Sequence, residues 1–299
     1  MRTFNYSEIK KQKWDSDVLS LIAAIYKEAG KQEMYLKQRP EELEKLVEIA
    51  KIQSTEASNA IEGIVTTSTR IKQIVEEKTT PKNCDEQEIA GYRDVLNIIH
   101  ESFDAIPITQ NYILQLHKIL YSHMNNPMAG RTKSVQNYIS ATYPDGHVET
   151  LFTPLAPYDT PQALDRICEE YNRVIGNMEV EPLIAIPIFI HDFLCIHPFN
   201  DGNGRMAVCL QHFCYTEMAF MLASIFHWKL RLPRTRICIT THLVRHRLAG
   251  MKGQRPQCHL SSICLVLFLL HTKISKNVLN LLKQSCQLSK QSDEQPYTK

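Results

Sequence analysis

His197-Pro198-Phe199-Asn200-Asp201-Gly202-Asn203-Gly204-Arg205 sets an imidazole, a carboxylate, two glycines and a guanidinium within nine residues. A loop of this kind, leading into a helix-forming stretch, is built to hold phosphates. Backbone N–H groups at Gly202 and Gly204 can converge on an anion, and the next helix adds its positive dipole end. A plain polar turn between two helices accounts for the glycines and Asn203. It does not account for His197, Asp201 and Arg205 at those offsets.

The string resembles the signature of the Fic (Fido) family, HPFx(D/E)GNGRxxR, and matches its fixed positions through Arg205. At the last position the family has arginine and this chain has Val208. The resemblance covers roughly residues 108 to 207, plus one segment upstream. It implies a mainly α fold, a helical core with one β-hairpin flap, and transfer of AMP from ATP to a hydroxyl side chain of a target protein. Removal of AMP, or transfer of UMP or phosphocholine, occurs in the same family, and nothing between His197 and Arg205 separates those chemistries.

The resemblance also implies roles. His197 is expected to be the general base, removing the proton of a Tyr, Ser or Thr hydroxyl; a neutral imidazole is available near pH 7. Asp201 is expected to hold Mg²⁺, an ion that takes hard oxygen ligands and few protein contacts. Gly202, Asn203 and Gly204 would wrap the phosphates, and Arg205 would neutralise the departing pyrophosphate. Phe199 is expected to point inward and fix the loop.

Upstream, Ser58-Asn59-Ala60-Ile61-Glu62-Gly63 resembles the family's inhibitory motif, (S/T)xxxE(G/N). On a helix, Ser58 and Glu62 lie four apart and share a face. The resemblance implies that Glu62 restrains the enzyme by pairing with the second motif arginine and displacing the γ-phosphate. Between the two motifs, Val135-Gln136-Asn137-Tyr138-Ile139 is a β-favouring run that leads to the turn signal Tyr143-Pro144-Asp145-Gly146. A hairpin there, with Gln136, Asn137, Tyr138 and Ile139 as its flap residues, is expected over the active site. It could pair with an extended target segment by strand addition, or merely cover the core.

Apolar spacing or helix-favouring composition predicts helices over 15–29, 40–61, 86–103, 109–122, 160–176 and 181–196. Thr109 is a plausible cap, and Pro187 falls where a proline costs least, near the first turns of its helix. The organisation expected is an N-terminal helical region over 1–105 with the inhibitory motif, a Fic core over 106–207, and a tail over 208–299. No apolar run is long enough to span a bilayer, no signal peptide is seen, and nine cysteines without a disulfide framework suit the cytoplasm.

The formal net charge of +2 hides a step. Residues 1–207 hold 21 Lys/Arg against 29 Asp/Glu, a net of −8, and residues 208–299 hold 13 against 3, a net of +10. A basic nucleic-acid arm is one reading of such a step, but the charge tracks no periodic face. A change of reading frame after Ala207 is the preferred one. Codons compatible with Val208 to Phe220, shifted by one base, read Arg-Leu-Leu-Thr-Thr-Leu-Leu-Leu-Tyr-Arg-Asn-Gly-Phe. That string restores the missing motif arginine and resembles the segment C-terminal to the motif in Fic proteins. Cys209, Leu210, Phe213 and Cys214 retain helical spacing, so a local helix is expected to persist, with poor order beyond Arg231. Cys258, His259, Cys264 and His271 lack a CxxC pair and do not make a zinc site. The chain as written is therefore expected to be a weak or inactive enzyme, or a non-catalytic product of a frameshifted gene. Its partners would be ATP and a hydroxyl-bearing target protein, not a membrane or nucleic acid; a homodimer stays open.

Overall fold

The computed structural model describes residues 4–38 except 12 and 15, 51–76 except 53, 57, 60–62 and 65, then 79–142 and 145–217. The described residues are mainly helical, with one two-stranded sheet. The helices are α1 (Ser16–Gln38), α2 (Ser68–Glu76), α3 (Cys84–Ser102), α4 (Gln110–Leu120), α5 (Thr160–Gly176), α6 (Pro182–Ile196) and α7 (Asn203–Glu217). Short 3-10 turns lie at Tyr6–Lys11 and Pro157–Asp159, and the described residues between 51 and 59 are helical.

Local chemistry sets the helix starts. Asn83 caps α3 by accepting from Glu86 N at 2.8 Å, and Thr109 caps α4 by accepting from Tyr112 N at 3.1 Å. Pro182 opens α6, and the Glu181 side chain accepts from Leu183 N. Pro187 lies within α6 and the helix runs on through it to Ile196.

Helix α6 is buried on nearly every side, which marks it as the centre of the bundle. It packs against α5 and α7, while α3 packs on α4 and α7. Gly91 allows α3 and α4 to cross closely: a Cβ there would overlap the Leu120 carbonyl oxygen. Ile113, Leu116 and Leu120 of α4, Leu164, Ile167 and Tyr171 of α5, and Phe189 and Phe193 of α6 fill the main core. A smaller cluster, Ile64, Ile71, Ile74, Val75, Ile89 and Ala90, seats α2 on α3. There Arg70 and Glu86 form a buried pair at 2.8 Å that holds the Glu86 carboxyl down at about 2.

Three features differ from the sequence expectation. Helix α1 runs to Gln38 rather than 29, and α2 stands where no helix is expected. The hairpin strands are β1 (Ile139–Thr142) and β2 (Val148–Phe152), so only Ile139 of the run 135–139 is strand. Gln136 and Asn137 instead spend their polar groups on loop carbonyls, which removes that stretch from the ladder. Where a local helix is expected to persist after Ala207, α7 continues to Glu217, with Cys209, Leu210, Phe213 and Cys214 fully buried. The expectations for residues 218–299, including Cys258, His259, Cys264 and His271, lie outside the described residues.

Candidate active site

Helix α6 ends by delivering His197. That residue adopts the left-handed conformation (φ 52°, ψ 62°) as the C-cap, with its N–H donating to Phe193 O at 2.8 Å. Such a backbone is uncommon outside glycine and is a mark of functional turns. The ring sits 3.3 Å from the Leu194 carbonyl through Nδ1. A carbonyl only accepts, so Nδ1 carries the proton and Nε2 holds the lone pair. Burial, chiefly, and the nearby Lys133 charge pull His197 down to about 4. It is therefore neutral near pH 7.

The loop after it is shaped by Phe199 and Asn203. Phe199 is fully buried, as expected. The Asn203 carboxamide accepts from Phe199 N at 2.9 Å and donates to Phe199 O at 2.7 Å, closing the loop on itself. The Asn203 side chain is thus committed to the loop, and its main-chain N–H is the group it offers an anion. Gly202 has φ 78°, and a Cβ there would meet the Tyr121 hydroxyl at 2.9 Å. The first helical bond of α7 runs from Met206 N to Gly202 O at 2.9 Å, so the N–H groups of Asn203, Gly204 and Arg205 precede the helix's own acceptors.

Tyr121, at the end of α4, links the charged members. Its hydroxyl donates to Asp201 Oδ2 at 2.6 Å and accepts from Arg205 Nη2 at 2.9 Å. Burial would raise the Asp201 carboxyl, but Tyr121, the Gly202 N–H and Arg205 outweigh it and hold it below its usual value. An ionised carboxylate that is 71% exposed suits a hard divalent cation. Arg205 is 2% exposed, and its Nε has no hydrogen-bond partner. A buried donor left open beside a helix start suits a phosphate oxygen.

Glu88 of α3 reaches the same guanidinium, its Oε2 lying 2.5 Å from Arg205 Nη1. Burial raises its carboxyl while Arg205 opposes the rise. His117 of α4 joins the site as well, without any sequence expectation for it. Its Nδ1 accepts from Gly130 N at 3.0 Å, which leaves Nε2–H to donate to Asp201 O at 3.1 Å. Burial lowers it to about 4. Neither residue belongs to the nine-residue string; the only sequence signal for them is their position on helix faces next to it.

The flap is fastened from below. Lys133, nearly fully buried, donates through Nζ to Asn137 Oδ1 and Ile196 O, both at 2.9 Å, and burial lowers it to about 8. Asn137 Nδ2 donates to Phe199 O at 3.0 Å, and Gln136 Nε2 to Pro154 O at 3.1 Å. Tyr138 is exposed and Ile139 begins the strand. In β1–β2, Ser140 pairs with Thr150 and Thr142 with Val148, and Gly146 takes φ 83° at the turn. Tyr143 and Pro144 lie outside the described residues.

In the upstream motif, Ser58 is buried and Gly63 is exposed with φ 81°. Ser54, on the same stretch, lies 3.1 Å from the Tyr92 hydroxyl of α3, which ties this segment to the bundle. Glu62 lies outside the described residues. In the last two turns of α6, His191, Asp192 and Cys195 place ligand-type atoms within 4.8 Å of one another in the core. Burial lowers His191, but Cys195 and Asp192 outweigh it and bring it to about 9.

With this geometry in hand, residues 107–215 match the family described as Fic/DOC. Over this stretch the chain is similar to Fic domains. The match includes Val208 to Tyr215, beyond the position at which the composition changes. Protein adenylyltransferase Fic of Nematostella vectensis is 28% identical over 163 residues, covering 52% of this chain and 35% of that protein. Protein adenylyltransferase fic-1 of Caenorhabditis elegans is 25% identical over 124 residues, covering 42% of this chain and 22% of that protein. The chain thus spans about a third or less of these relatives' length. A Fic family protein from Desulfovibrio desulfuricans G20 superposes with a TM-score of 0.65 at 18% identity, over 89% of this chain and 76% of that one. Fic-1 (aa134–508) from C. elegans gives 0.63 at 16% identity, over 90% and 73%. At those identities the likeness is one of fold. No helix among the described residues is long and apolar enough to cross a membrane.

Proposed function

We propose that this Fic domain transfers AMP from ATP to a Tyr, Ser or Thr hydroxyl of a target protein, at a rate limited by the loss of the second motif arginine. The observation that carries the reading is Arg205, a buried guanidinium with an open Nε donor at the start of α7, on the same short loop as the neutral His197. The adenylyltransferase relatives support the same chemistry.

In that reaction His197 Nε2 takes the hydroxyl proton as the oxygen attacks the α-phosphorus. The P–O bond to the β-phosphate breaks, and pyrophosphate leaves toward Arg205 and the main-chain N–H groups of α7. Little covalent chemistry falls to the protein; orientation and charge stabilisation supply the rate. Asp201 is the residue suited to hold Mg²⁺, which when bound would neutralise charge shared by the phosphates. The flap β1–β2 would present an exposed strand edge to an extended target segment. Glu62 would act as the restraining glutamate, although its usual partner position holds Val208.

Val208 is 8% exposed and brings no charge to the phosphates. Loss of one such donor typically costs about 10²–10³-fold in turnover. The change of frame after Ala207 is the reading that explains this loss together with the swing from −8 to +10 in net charge. Incubation of the purified chain with ATP labelled at the α-phosphate, with and without Mg²⁺, tests the activity. Slow label transfer that His197→Ala abolishes supports it, and no transfer under any condition refutes it. Sequencing the source DNA across codons 205 to 209 tests the frame: an additional or missing base supports it, and an undisturbed frame shared with intact relatives refutes it.

A further inference from the structure

Glu88 and Arg205 lie far apart along the described chain, yet their side chains meet at 2.5 Å. Arg205 is 2% exposed, and Glu88 is 19% exposed at its side chain, so solvent screens this pair little. Asp201 Oδ2 lies 3.6 Å from the same guanidinium. One cation therefore faces two carboxylates, and the pocket around Arg205 is net negative before any ligand arrives. A polyphosphate approaching Arg205 meets that charge first. Tyr121 fixes Arg205 through Nη2, so the guanidinium cannot turn to serve both anions freely.

We propose that Glu88 is a built-in competitor for the anion site, a carboxylate from α3 that occupies Arg205 in the empty protein and yields it when a polyphosphate binds. It rests on the nucleotide-transfer reading for the identity of that anion. The consequence is a reciprocal coupling: whatever holds Glu88 on Arg205 weakens polyphosphate binding, and polyphosphate binding loosens α3 from α7 by the same free energy. Helix α3 also carries Tyr92, which meets Ser54, four residues before the upstream motif, so the same helix touches both Arg205 and that stretch. The device is separate from Glu62 and involves the first motif arginine, not the second.

The test is titration calorimetry of the full chain with inorganic tripolyphosphate, repeated with ATP. Glu88→Gln keeps the shape and removes the charge; it is expected to tighten tripolyphosphate binding about fivefold or more, the lower end of typical site couplings. In an Arg205→Met background the same substitution is expected to change nothing. Glu88→Asp, which withdraws the carboxylate by one methylene, is expected to fall between wild type and Glu88→Gln, and serves if the glutamine variant melts early. Binding by Glu88→Gln and Glu88→Asp no tighter than wild type, or a tightening that persists without Arg205, overturns the proposal. Tighter tripolyphosphate binding without any ATP binding keeps Glu88 as competitor and sinks the nucleotide reading. ATP binding unchanged by Glu88→Gln does the reverse.

Discussion

The His117 ring lies flat on Phe199, with centroids 3.7 Å apart and planes 3° from parallel. The same ring accepts from Gly130 N and donates to Asp201 O, so one side chain ties two points of the 197–205 loop to the turn at Gly130. His117→Ala is expected to remove the stack and the ring's bonds to two part-buried main-chain groups, costing about 2–4 kcal/mol in stability. Thermal melting checks this. Activity should fall further than stability predicts, because Asp201 would lose its backbone anchor. A His117→Ala protein melting within a degree of wild type would remove His117 from the site's framework.

His197 sets the acid limb of the proposed reaction. Its folded value of about 4 lies below the free value near 6.5, so the base-competent neutral form persists as pH falls through the usual histidine range. In the free enzyme, kcat/KM is expected to hold its value down to about pH 5 and decline below it. A decline centred near 6.5 would show that the ring is solvated and that its burial plays no part. His197→Ala should lose about 10²–10⁴-fold in turnover.

The nine-residue motif is legible in the sequence because its chemistry is local: His197, Asp201 and Arg205 converge through one turn and one helix start. Its supports are not. Glu88, His117, Tyr121 and Lys133 reach it across 65 or more residues of chain, and no periodicity marks a helical residue as the one that faces a loop. The helix over 160–176 is read at its observed bounds, since Ala163, Leu164, Ile167, Tyr171 and Val174 keep a clean 3.6-residue stripe. The strand at 135–139 is misplaced because β propensity is blind to side chains such as Asn137 that bind loop carbonyls instead of joining a ladder.

Asn137 gives a test of the flap. Its carboxamide donates to Phe199 O and accepts from Lys133 Nζ, so it joins the flap stem to the catalytic loop. Asn137→Ala should cost about 1–2 kcal/mol in stability. If the hairpin docks the target, KM for the target protein should rise several-fold while KM for ATP moves little. An equal rise in both would assign Asn137 to the loop alone.

His212 of α7 and His100 of α3 meet Nε2 to Nε2 at 3.1 Å in the interior, and burial is the main cause pulling them to about 3 and about 4. Their mutual repulsion and Lys51 add to the shift at His212. Only one proton fits between the two nitrogens, so folding requires at most a single N–H there and excludes two charged rings. A depressed histidine value contributes stability above the unfolded value near 6.5, and that contribution is lost progressively as pH falls toward 4. The chain is therefore expected to lose stability between pH 6.5 and 4 more steeply than carboxylates alone would cause. His212 belongs to the stretch read as out of frame, and the shifted reading places a threonine at that position. His212→Thr should lower the urea midpoint at pH 8 through the lost buried volume, yet flatten its further loss across that pH window. If the slope survives the substitution, the buried histidine pair is not the cause of acid sensitivity in this fold.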